Sequence, residues 1–371
     1  MIRRSGPFGL LVLALTLGSA QAESPVVPRK LQVEDCRIEY REFGKSVPGQ
    51  LLLAPFRREP RHGIAHLMAI DTTGKLLFHR PYEHFFKPLM AADFREIEPG
   101  YLGYFLVTEE SDGREKAGYH FLDRSFQDVF LHPVPDRDPD LVARSAVRVP
   151  GGHEFFVFSR ERRKGGRGRS GELQELDVKR NTPFTWNAED YLKEPRDRET
   201  PLEIGSLARE PDGSWLLGLP ASSEIVKISY PEGKPLWRLS SREWTFADDP
   251  RGGFQVPLSI AGTRPNSILL IDARGPGEPG RAVEYRLDPG SRKATRIWEF
   301  AAPGPIAAGQ RATAQRLSNG NTVVAWGLPG EVAVQEVTAQ GKVVRDWRVT
   351  SPGYSVPGAY FQARGKSVRA Q

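Results

Sequence analysis

Apolar and polar residues alternate along this chain in short runs, each broken by a turn. The pattern is clearest over residues 203–238. A polar lead-in ends at a Pro211-Asp212-Gly213 turn, and the apolar run Trp215-Leu216-Leu217 follows it. Beyond Ala221-Ser222-Ser223, the segment Ile225-Val226-Lys227-Ile228 alternates, and a second turn, Pro231-Glu232-Gly233, leads to Pro235-Leu236-Trp237. Short alternating runs between Pro, Gly and Asp turns predict four antiparallel strands.

The unit repeats. Turns of the same kind as Pro231-Glu232-Gly233 lie around Gly74, Ser125, Arg180, Gly290 and Gly341. Each is followed by an aromatic residue, giving the series Phe78, Phe130, Trp186, Trp237, Trp298 and Trp347. The other turn recurs as Glu98-Pro99-Gly100, Pro150-Gly151-Gly152 and Ser318-Asn319-Gly320. A period of roughly 50–57 residues with four strands per unit predicts an all-β fold, a six-bladed β-propeller of four-stranded antiparallel blades. The four tryptophans read as core aromatics packed between neighbouring sheets, not as a stacking platform.

Complete repeats run from near Met90 to Trp347. Strand-like runs at 50–55 and 63–78 precede them, and one more lies at 358–363. One blade is therefore expected to be closed by both chain ends, which removes the open sheet edge. Residues 23–371 read as a single domain, with helical periodicity confined to one turn near 187–192.

Residues 1–22 carry Arg3-Arg4, an apolar run at 10–17 and Ala20-Gln21-Ala22. This is the pattern of a secretory signal peptide, and it predicts a periplasmic or secreted protein beginning at Glu23. The apolar run is shorter than the ~20 residues of a membrane-spanning helix, and no later segment is a candidate. The one cysteine, Cys36, has no internal partner for a disulfide. The seven histidines show no paired spacing with cysteine or carboxylate, so neither metal nor cofactor is expected from the sequence.

The formal charge is +6; without Arg3 and Arg4, 50 basic residues face 46 acidic ones, leaving +4. Part of the surplus is local, in the Gly-interleaved run RERRKGGRGR at 160–169. It reads as a solvated loop, or as a docking patch for an acidic partner such as a phospholipid head group or an anionic glycan. No aromatics interleave it, which argues against nucleic acid.

Four stretches carry a family resemblance: ELQELDVKRNTPFTWNAEDYL at 172–192, DGSWLLGLPASSEIVKISYPEGKPLWRLSS at 212–241, ILLIDARGPGEPGRAVEYRLD at 268–288 and QRLSNGNTVVAWG at 315–327. In phrasing and order they resemble the bacterial arylsulfate sulfotransferases, secreted six-bladed propellers. The resemblance runs from about Gly49 to Tyr360. It implies sulfuryl transfer from an aryl sulfate to a phenol, through a histidine that attacks sulfur and cationic groups that stabilise the sulfate oxygens.

The matched positions do not carry that machinery. The family's His-x-Asn-Ser is Glu203-Ile204-Gly205-Ser206, and its Ser-Ser-Arg-His is Gly218-Leu219-Pro220-Ala221. Its Gln-His-Asp, with the nucleophile, is Gln255-Val256-Pro257, and a His-Asp-Phe is Ala92-Asp93-Phe94. No catalytic residue is thus assigned. The expected function is a binding or assembly module for an anionic small molecule, glycan or periplasmic protein. The alternative is an arylsulfate sulfotransferase with relocated catalytic residues.

By the same resemblance, the channel mouth receives Asp93, Arg144, Glu203 and Gln255 from strand starts, and Glu109, Arg160, Asp272 and Arg274 from loops after second strands. Arginine suits bidentate capture of carboxylate, sulfate or phosphate. The same residues are also able to pair among themselves, Asp272 with Arg274 and Glu203 with Arg144. Arg281 lies in the matching Gly280-Arg281-Ala282 stretch, as a ligand or an outer-strand residue.

Overall fold

The computed structural model describes residues 29–363 apart from 45–46, 59–61, 86–88, 98–99, 109–114, 134–141, 150–152, 162–168, 178, 180, 192–200, 276, 307–311, 329–333 and 357. The leader at 1–22, Glu109 and most of the basic run at 160–169 lie outside the described residues.

An N-terminal hairpin, β1 (Arg29–Val33) and β2 (Cys36–Glu42), comes first. Blade 1 contains β3 (Gly49–Leu53), β4 (Phe56–Arg58), β5 (His62–Asp71) and β6 (Leu76–Phe85). Blade 2 is β7 (Leu89–Ile97), β8 (Gly100–Thr108), β9 (Glu115–Leu122) and β10 (Asp128–Pro133). Blade 3 is β11 (Val142–Arg148), β12 (Glu154–Glu161), β13 (Arg169–Leu176) and β14 (Phe184–Asn187), followed by one helical turn, Ala188–Tyr191. Blade 4 is β15 (Ser206–Arg209), β16 (Trp215–Leu219), β17 (Glu224–Ile228) and β18 (Pro235–Leu239). Blade 5 is β20 (Pro257–Arg264), β21 (Ser267–Asp272), β22 (Pro279–Asp288) and β23 (Lys293–Pro305), with β19 (Thr245–Ala247) added parallel to β23. Blade 6 is β24 (Thr313–Arg316), β25 (Thr322–Ala325), β26 (Val334–Val337) and β27 (Val343–Val349). The chain closes with β28 (Tyr354–Ser355) and β29 (Ala359–Ala363).

The six sheets are those of a six-bladed β-propeller. Its first strands succeed one another around the axis: β15 packs against β20, β20 against β24, β24 against β29, and β29 against β7. The expected seam is present, since β29 pairs with β3 as the inner strand of blade 1. A second closure was not foreseen: β2 pairs antiparallel with β27, so the N-terminal hairpin extends blade 6 outward. Blade 6 and blade 1 therefore have six strands each and blade 5 has five, rather than a uniform four.

The second strands β16, β21 and β25 are buried on both faces, because each blade is sandwiched between two others. Alternation then divides one strand between two cores. Trp215, Leu217 and Leu219 of β16 join the blade 3–4 cluster, while Leu216 joins the blade 4–5 cluster. In β21, Ile268 and Leu270 face blade 4, and Leu269 and Ile271 face blade 6.

The repeated turns have a common cause. Asp71 Oδ1 accepts from the Thr73 and Lys75 amides, Asp123 Oδ1 from Ser125 and Gln127, and Asp177 Oδ1 from Lys179 and Asn181. Thr338 substitutes with its hydroxyl, accepting from Gln340 and Lys342. These are side chains capping their own turns. Gly74 and Gly341 follow at φ 82° and 80°, a left-handed conformation that glycine adopts without strain.

The closing aromatics do not share one register. Phe78, Phe130 and Trp237 face Ala69, Phe121 and Lys227, each two residues before the turn's first residue. Trp186, Trp298 and Trp347 face Leu173, Glu284 and Val334, four residues before it. The second group is buried, whereas Phe78 and Trp237 are half-buried. Bulges beside Phe78, Trp237 and Trp298 displace Leu77, Leu236 and Ile297, which are exposed large apolar residues.

Candidate functional site at the channel mouth

The candidate residues lie at the end of the blades where first strands begin and second strands finish. Blade 3 contributes most. Arg144 sits at a bulge in β11, since Ala143 pairs with Phe158 and Ser145 with Val157. Arg160 is in β12 opposite Ser170, one step beyond Ser159. Glu203 reaches the same corner, because Leu202 exchanges backbone hydrogen bonds with Arg169 and Gly171. Ser159 Oγ donates to Glu203 Oε1 at 2.6 Å. The strand register thus brings Arg144, Arg160 and Glu203 to one corner of the mouth.

Asp93 stands in β7 and is buried. Its Oδ2 lies 3.7 Å from Arg95 Nε. Its Oδ1 lies against the backbone that enters β29; a Cβ on Gly358 would approach it to 2.8 Å. The Asp93 carboxylate therefore occupies the junction of blades 1 and 2, close against the Gly358 backbone.

In blade 5, Asp272 and Arg274 do pair, with Nε 3.1 Å from Oδ2, and they belong to a larger buried network. Asp272 Oδ1 accepts from the backbone amides of Gln255 and Val256, so the carboxylate organises the strand start. Arg281 Nε reaches Asp272 Oδ2 at 3.2 Å. Its other nitrogens donate to Asp249, Glu299, the Gly253 carbonyl and Tyr285. Arg274 also donates to the Gly253 carbonyl. Burial would raise the Asp249 carboxyl, but hydrogen bonds from Arg281 and Tyr285 outweigh it and hold it down at about 2. Burial and the neighbouring Asp249 carboxylate push the Tyr285 hydroxyl up, with Arg281 opposing. Asp272 and Arg274 thus build the wall of the mouth, while Gln255 beside them is exposed.

The sequence reading did not include Asp249 in this network. Its signal was Asp248-Asp249-Pro250 after an aromatic strand, but only the fold shows that this loop reaches Arg281.

The described histidine side chains have side-chain partners. His120 meets Asp128, and His153 meets Glu175. His66 of β5 meets His79 of β6 and Tyr354 of β28. Val256, at the position matched to the nucleophile, packs into the blade 5–6 core.

No protein-family model matches the sequence, and no curated protein matches it. Solved structures do match in shape. A protein of unknown function from Bacteroides caccae is 15% identical, with TM-score 0.52, covering 86% of this chain and all of that one. Virginiamycin B lyase from Staphylococcus aureus is 10% identical, with TM-score 0.39, over 85% and 99%. A nidogen/laminin complex chain is 11% identical, with TM-score 0.45, over 84% and 97%. These likenesses concern the fold alone.

Proposed function

We propose that this propeller keeps the frame of the arylsulfate sulfotransferases that its repeats resemble but does not carry their chemistry. It acts outside the cytoplasm, after removal of residues 1–22, as a binding or assembly module. Its ligand is an anionic small molecule, a glycan or an acidic face of a protein, held at the mouth by Arg144 and Arg160. The basic run at 160–169 adds a salt-sensitive attraction for the same kind of partner.

One observation carries this reading. None of the six first strands, β7, β11, β15, β20, β24 and β29, contains a histidine. Sulfuryl transfer through histidine needs an imidazole at the axis and cationic donors aimed at the transferring group. Loss of one such donor typically costs about 100-fold or more in rate. At the matched positions, nucleophile and donors are missing together.

The test is incubation of the purified protein with 4-nitrophenyl sulfate and a phenol acceptor, followed by nitrophenol release and intact mass. The expected result is neither turnover nor a sulfuryl adduct. Turnover, or an adduct on any histidine, would replace this reading with a transferase.

A further inference from the structure

The second closure of the ring brings together groups that are far apart in the chain. In the N-terminal hairpin, Val33 pairs with Cys36, so Glu34 and Asp35 form a two-residue turn. Glu34 holds φ 52°, a left-handed conformation that favours glycine or asparagine. Because β2 is anchored along β27, the hairpin tip leans over blade 1. There His66 pairs with Pro81 and Met68 with His79, so the two histidines are diagonal neighbours across β5 and β6.

Hydrogen bonds at this junction fix where one proton sits. Asp35 is held by Arg57, 2.7 Å from Oδ2, and accepts from the Tyr354 hydroxyl at 2.6 Å on Oδ1. Tyr354 has one proton and gives it to Asp35, so its oxygen accepts from His66 Nε2 at 2.9 Å. Asp35 Oδ1 lies 3.4 Å from the same nitrogen. His66 is therefore protonated on Nε2, and its Nδ1 presents a lone pair. Nδ1 faces His79 Nε2 at 3.0 Å and Glu34 Oε2 at 3.8 Å. The three donor atoms lie within 4.8 Å of one another.

We propose that Glu34, His66 and His79 bind a divalent cation of the zinc class at the junction that closes the propeller. Two imidazole nitrogens and one carboxylate oxygen are the ligands such an ion takes, with a fourth position open to water. Nitrogens about 2.0–2.1 Å from a tetrahedral ion stand roughly 3.3 Å apart, so His66 and His79 need to separate only slightly. Glu34 closes the remaining gap, since its side chain is 48% exposed and free to swing inward. His66 is fully buried and its outer nitrogen is backed by Tyr354 and Asp35, the arrangement that fixes the ring of a metal-bound histidine.

The chemistry of the surroundings fits nitrogen and oxygen ligation. Cys36 follows Asp35 but turns into the apolar seam cluster and is not among the donor atoms gathered there. The ligands come from positions 34, 66 and 79, so no short metal motif marks them.

The experiment uses the full exported chain, stripped with a chelator and titrated with Zn²⁺ against a chromophoric competitor; Co²⁺ is then bound for its visible spectrum. The expected result is one equivalent of Zn²⁺ and the strong ligand-field bands of four-coordinate cobalt. His79→Gln should abolish the site, and Glu34→Gln should weaken it at least tenfold. Asp35→Asn, which removes the outer support, should weaken it by about 10–100-fold. Glu34 is at the surface, so that variant folds even if another does not. Absence of saturable one-to-one binding would overturn the proposal, as would affinity that Glu34→Gln leaves unchanged.

Discussion

Arg281 donates to both carboxylate oxygens of Asp249, at 3.0 and 2.9 Å, with neither side chain exposed. The pair ties the loop before blade 5 to the third strand of that blade, and Asp272 joins from the second strand. Arg281→Met should therefore leave the buried Asp249 carboxylate without its main partner and remove one of the two arginines on Asp272. Breaking a buried pair from one side costs about 3–5 kcal/mol. Urea unfolding should show a fall of that order, whereas a change below 1 kcal/mol would mean that the network is dispensable.

The same pair sets an acid dependence. The Asp249 carboxyl is held at about 2 in the folded protein, against an ordinary 3.8. A depressed carboxyl contributes stability that is complete above its unfolded pKa and is lost as pH falls through its folded one. This contribution, about 2 kcal/mol, should thus be present above pH 4 and vanish toward pH 2. Unfolding followed at several pH values should show the loss, and Asp249→Asn should flatten that part of the profile.

At the seam, the Gln315 side chain acts as a strand partner. Its amide donates to the Phe361 carbonyl at 3.0 Å and accepts from the Phe361 amide at 2.7 Å. Thr313 does the same for Ala359. The inner edge of β29 is thus capped by the neighbouring blade. Gln315→Leu should cost about 1–3 kcal/mol and lower the hydrogen-exchange protection of the Phe361 amide; unchanged protection would contradict this role.

The two aromatic registers should separate by energy. Trp347 is 1% exposed in the seam core, whereas Trp237 is half-buried. Trp347→Ala should cost about 3–5 kcal/mol, and Trp237→Ala clearly less. Equal losses would show that register does not decide burial here.

The propeller was legible because its signals are local: Asp71, Asp123 and Asp177 cap their own turns, and one strand's alternation reports both cores. The β29–β3 pairing was legible because repeats were missing at both ends. The register of Trp186 against that of Trp237 was not, since the aromatic falls at different distances beyond turns of the same kind, and bulges such as those at Leu236 and Ile297 accompany both registers. The N-terminal hairpin lacks a repeat to match, and only packing on β27 gives it a place. The candidate site was read by position. Asp272 with Arg274 was foreseen as a pair two residues apart. Their connection to Asp249, like that of Glu34 to His66 and His79, depends on contacts between distant segments that spacing does not encode.

Anion binding at the mouth of this propeller, as proposed above, is measurable by calorimetric titration with 4-nitrophenyl sulfate and with a sulfated glycan, at low and moderate salt. The expected result is saturable one-site binding of at least one of them, weakened by salt and reduced at least tenfold in Arg144→Ala/Arg160→Ala with the fold intact. Absence of binding by either ligand, or an affinity that this variant leaves unchanged, would contradict it.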